Sequence, residues 1–81
     1  MIEHALPTVV DAFAGQAGID AARIEPDKPL TAIPEAESIH LLRAIMLIEE
    51  TFAVFLPDDY VFETATVREL ADTVYALAAR R

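Results

Sequence analysis

Between residues 38 and 52 the apolar side chains Leu41, Ile45, Ile48 and Phe52 recur four, three and four residues apart, the spacing that an α-helix turns into one face. That face must be buried, and a lone helix of this length is marginal in water, so other elements have to cover it. Two further segments offer matching faces. Leu6, Val10, Phe13 and Ala17 repeat with the same spacing, and Val67, Leu70, Ala71, Val74 and Ala78 share a third stripe. No stretch alternates as a strand would, and no segment repeats another. The pattern predicts an all-α chain.

Local signals set the expected limits. Gly18 is suited to cap the first helix, and Pro7 must lie near its first turn or kink it. The second helix is expected from about Ser38 to Phe52. After a connector through Leu56, residues Pro57, Asp58 and Asp59 suit the opening of a short helix reaching about Phe62. Thr66 and Glu69 form a capping box for the last helix, with Arg80 and Arg81 near its negative end. From Gly18 to Glu37 there is no period, and prolines stand at 26, 29 and 34. This long connection is expected to be an ordered loop pinned by Ile24, Leu30 and Ile33. Three main helices and one short one, with a long loop between the first two, make one domain over residues 1–81.

Composition narrows the function classes. A chain of 81 residues buries only about 60% of its unfolded surface, which leaves little room for a deep catalytic cleft. Without cysteine there is no disulfide and no thiolate metal site, and His4 and His40 are too far apart in sequence to make a good metal pair. No apolar run approaches the roughly 18 residues of a membrane span. The amino terminus also lacks a basic region followed by an apolar stretch, so a cytoplasmic protein is expected. A formal charge of −8 with a single lysine, Lys28, repels nucleic acid and anionic membrane and favours basic protein partners. The same charge also serves solubility alone.

Opposite the buried face of the second helix stand Ile39, Arg43, Met46 and Glu50, with Leu47 nearby. They are either scattered surface residues or an adaptable partner surface. Ser38 is the only serine of the chain, placed where a proline-bearing loop becomes a helix. Its hydroxyl could simply cap the helix. Glu35 and Glu37 could be imagined as an acid/base pair, but such work needs carboxyls facing each other across a cleft. No glycine-rich phosphate loop or nucleophile triad is recognisable.

Taken together, residues 33–67 resemble the acyl and peptidyl carrier protein family. Glu37-Ser38-Ile39 stands for the family's Asp-Ser-Leu triplet and Ile48-Glu49-Glu50-Thr51-Phe52 for its "IEEEF"-like run. Leu56-Pro57-Asp58-Asp59 stands for its "IPD" segment and Thr66-Val67 for the start of its last helix, while Ile24-Glu25-Pro26-Asp27 precedes Leu30 in the loop. The resemblance implies an acyl-carrier-like four-helix bundle that is a carrier and no enzyme. It also implies 4′-phosphopantetheine attached covalently to Ser38 from coenzyme A, with Glu37 and Ile39 flanking the arm. A phosphodiester there would meet the positive end of the second helix. Implied partners are a phosphopantetheinyl transferase, an acyl- or aminoacyl-loading ligase and downstream synthase enzymes. They would meet a monomer through Arg43, Met46, Leu47, Glu49, Glu50, Asp58 and Asp59. Glu37 departs from the usual aspartate, and His40 and Arg43 stand where many fatty-acid carriers are acidic. Arg43 would oppose docking to a basic patch and points to a dedicated secondary-metabolite or aminoacyl pathway. Ala44, often larger in relatives, leaves room for acyl cargo or is filled by Leu41 and Phe55. The alternative is an unmodified helical adaptor that binds through Ile39, Met46 and Leu47.

Overall fold

The computed structural model describes the backbone of residues 2–56 and 65–80 and the side chains of residues 5–56 and 65–80. Three helices carry the fold: α1 (Ile2–Ala17), α2 (Ser38–Phe52) and α3 (Val67–Ala79). Among the described residues there is no strand, and the connection between α1 and α2 contains two short 3₁₀ turns, Ala21–Arg23 and Leu30–Ala32. The short helix expected after Pro57 lies outside the described residues.

α1 packs against both other helices, whereas α2 and α3 meet each other sparingly. Its buried centre is rotated slightly from the face marked by its large residues. Ala5, Val9, Ala12 and Phe13 are buried, while Leu6, Val10 and Ala17 are half-buried at the margin. Alanines at the centre let the helices approach closely, and the bulkier margins close over the seam. Pro7 sits inside α1 without ending it. As the sixth residue of α1 it lies just past the first turn, so its missing N–H forfeits the helical bond to the Glu3 carbonyl.

The loop is ordered for a reason that combines apolar anchoring with backbone pairing. Ile24, Leu30 and Ile33 are buried in the core. Leu30 N–H donates to the Ala65 carbonyl at 2.9 Å within an isolated antiparallel bridge between Pro29 and Thr66. Arg68 N–H, in the first turn of α3, donates to the Pro26 carbonyl at 3.0 Å. The loop thus supplies a partner that the helix start lacks internally. The Arg68 guanidinium also donates to Asp27 at 2.7 Å, and that hydrogen bond and the carboxylate charge raise it above its ordinary value. Thr66 completes the start of α3: its Oγ1 accepts from Glu69 N–H at 3.0 Å, and Glu69 accepts from Thr66 N–H at 2.8 Å.

Two helix ends use left-handed residues. Gly18, with φ of 72°, closes α1 by donating to the Ala14 carbonyl at 2.9 Å. Ala53, with φ of 56°, closes α2, and Val54 N–H reaches back to the Glu49 carbonyl at 3.0 Å. Glycine adopts this conformation without strain and alanine does not. No atom lies within 4 Å of a Cβ built on Gly18, so Gly18→Ala introduces backbone strain alone. It should destabilise the protein by about 1 kcal/mol. Ala53→Gly should have the opposite sign, stabilising by up to about 1 kcal/mol. Urea unfolding with an unchanged slope checks both values.

Candidate functional site

The chain enters α2 through a sharp turn at Pro34 and Glu35, where Glu35 adopts φ of 60° and pairs with Arg23 at 3.4 Å. Glu37 then takes the N-cap position in extended conformation, and its carbonyl receives the first helical bond, from Leu41 N–H at 3.1 Å. His40 faces back: its Nδ1 accepts the Glu37 N–H at 3.0 Å. The two glutamates considered as an acid/base pair are therefore committed to a turn and a helix start.

This arrangement makes Ser38 the first residue inside the helix rather than its cap. The capping role left open in the sequence passes to its neighbour. Ser38 is exposed, and its hydroxyl has no hydrogen-bond partner among the described residues. Beside it, the backbone N–H groups of Ser38 and Ile39 belong to the first turn and have no helical acceptor, so the position is both reachable and electropositive. An anionic ester on this oxygen fits the donors around it.

Along α2 the outward surface is apolar to an unusual degree. Ile39 is 46% exposed, Leu42 55%, Met46 54% and Leu47 44%. Leu42 was not singled out from the sequence, although it lies one helical turn from Ser38 and its spacing could have placed it there. Arg43 stands exposed within this surface. Arg23, Lys28 and Arg68 are each ion-paired, so among the described residues Arg43 and Arg80 are the Lys and Arg side chains without an ion partner.

At the far end of α2 the expected acidic contacts divide. Glu50 is exposed, but Glu49 is half-buried and its carboxylate accepts the Leu56 N–H at 2.8 Å, holding the chain that leaves the helix. Asp58 and Asp59 lie outside the described residues. Met46, Glu50 and Phe55 border an open groove of about 500 Å³. Phe55 is 89% exposed and so does not fill space beside Ala44, which is itself fully buried in the core. No cluster of His, Cys, Asp and Glu among the described residues could hold a metal ion. None of the described helices is long and apolar enough to cross a membrane.

A family model described as a phosphopantetheine attachment site matches residues 7–74. An acyl carrier protein of Rubrobacter xylanophilus is 31% identical over 72 residues, which span 89% of this chain and 89% of that protein. One from Myxococcus xanthus is 26% identical over 89% of this chain and 91% of its own length. Another, from Syntrophobacter fumaroxidans, is 31% identical over 79% of each chain. These matches displace the unmodified adaptor and the acid/base pair at Glu35 and Glu37. The helical bundle and the extent of the likeness together show that the chain belongs to the acyl carrier protein family, whose members bear 4′-phosphopantetheine covalently and carry cargo without catalysing its chemistry.

Proposed function

We propose that Ser38 is the attachment point of the prosthetic arm and that the carrier serves a dedicated pathway of secondary-metabolite, acyl or aminoacyl assembly. The observation that carries the first part is the hydroxyl itself: it belongs to the only serine, and it is exposed and unbonded at the first position of α2. When attached, the arm supplies a thiol that a chain without cysteine lacks, and cargo rides on it as a thioester. Around it the protein's part is electrostatic and mechanical. The free N–H groups of Ser38 and Ile39 favour the phosphodiester charge, and the helix directs the arm away from the core.

Partner recognition is assigned to the outward surface of α2, where Ile39, Leu42, Met46 and Leu47 offer apolar area and Arg43 and Glu50 frame it with opposite charges. Partners there are a phosphopantetheinyl transferase, a loading ligase and the synthase enzymes that follow. Arg43 supports the narrower pathway reading, because an unpaired cation in this surface disfavours a basic docking patch and suits a partner that presents a carboxylate. Glu49 contributes through its hold on Leu56, so its share in docking is smaller than that of Glu50.

Incubation with coenzyme A, magnesium and a broad-specificity transferase should add one phosphopantetheinyl group to the parent protein. Ser38→Ala should remain at its unmodified mass. A modified Ser38→Ala protein, or a parent unchanged by several transferases, would overturn the assignment. With the loading enzyme of its own pathway, Arg43→Glu should lower kcat/KM by at least about tenfold at low salt, and added salt should shrink the difference. Faster loading of Arg43→Glu would point instead to a basic docking patch.

A further inference from the structure

By residue type, both Glu37 and Ser38 are candidates to cap α2, and the chemistry of Ser38 differs between the two registers. In one, Glu37 is the cap and Ser38 lies inside the helix. In the other, the helix would begin one residue later, Ser38 would be the cap, and its Oγ would accept a hydrogen bond from the first-turn N–H of His40 or Leu41. Residue preference alone favours the second, since serine is among the best N-caps and glutamate is not among the preferred types. A Ser38 cap would, however, place Leu41 at the third helical position, where it has no polar atom to return a bond to the cap N–H. With Glu37 as cap, the third position is His40, and its Nδ1 accepts the Glu37 N–H at 3.0 Å. For that bond Nδ1 must be unprotonated, so the imidazole proton resides on Nε2.

We propose that His40 is a positioning residue for the loading of Ser38: by accepting the Glu37 N–H it selects the register in which the serine hydroxyl is free, and suppresses the register in which the hydroxyl caps the helix. The inference rests on Ser38 being the attachment point. In loading, Ser38 Oγ forms the new P–O bond to the pantetheine-bearing phosphorus of coenzyme A. The pyrophosphate bond breaks, adenosine 3′,5′-bisphosphate leaves, and the hydroxyl proton passes to a base of the transferase. A hydroxyl oxygen engaged as a cap is turned toward the helix and is less available for that attack, so His40 acts on the reaction through Glu37 and without touching the reacting atoms.

The test compares parent, His40→Leu and His40→Gln as full-length proteins. Leucine offers no acceptor, whereas glutamine restores the usual capping-box bond. Backbone and Cβ chemical shifts of Ser38, read by NMR on the unloaded proteins, should report a helical residue in parent and His40→Gln. In His40→Leu they should report an extended, capping residue. With coenzyme A, magnesium and one transferase, His40→Leu should be loaded with kcat/KM about fivefold lower than the parent, and His40→Gln should recover most of the loss. Thermal unfolding of all three confirms that the fold is intact. A helical Ser38 in His40→Leu, parent-like loading of that variant, or a His40→Gln variant as slow as His40→Leu would each overturn the inference. Should the parent itself resist loading, attachment at Ser38 falls, and with it any part for His40 in loading; the chemical shifts still decide the register separately.

Discussion

The loop between α1 and α2 is held by what the start of α3 lacks. A helix begins with N–H groups that have no internal acceptor, and here one of them, from Arg68, finds the Pro26 carbonyl, while Leu30 N–H returns a bond to Ala65. Buried Leu30 and Ile33 fix the same stretch from beneath. With the loop clamped to α3, the turn at Pro34 and Glu35 delivers the chain to α2 at a defined place. Ser38 is placed by that clamp together with the buried face of α2 that docks on α1.

α2 then divides its labour by face. Ala44, Ile45 and Ile48 are buried and anchor the helix, while Ile39, Leu42, Met46 and Leu47 remain in water with Arg43 among them. Under the proposed assignment this division lets one helix be rigid enough to present an arm and exposed enough to be recognised by several enzymes. Net negative charge keeps such an apolar surface soluble. The internal pairing of Arg23, Lys28 and Arg68 leaves Arg43 as the cation of this helix without an ion partner among the described residues.

Much of the architecture was legible because its signals are local. α2 spans Ser38 to Phe52 as its apolar period requires, Thr66 and Glu69 cap α3 reciprocally, and Gly18 takes the left-handed conformation that closes α1. Each depends on residues within a turn of one another. The small core residues were less legible. Ala5, Ala12 and Ala44 carry little hydrophobic signal, yet all three are buried in the core, and the sequence left open whether Ala44 marks spare room or space filled by its neighbours. Side chains able to serve two purposes were ambiguous in the same way. Glu49 resembles a surface acid and in fact holds Leu56, and His40 resembles an altered docking residue and in fact completes a helix start.

By itself, the sequence determined that this chain is a helical carrier with one serine at the mouth of its second helix. Periodicity, capping pairs and the landmarks of the family are written in neighbouring residues. Only the tertiary structure decided that Glu37 rather than Ser38 caps that helix, that Phe55 points to water, and that Pro26 and Pro29 meet the start of α3. Those outcomes depend on competition between near-equal hydrogen-bond partners and on contacts across some forty residues. Such competition is settled by which partner the packed core brings within reach.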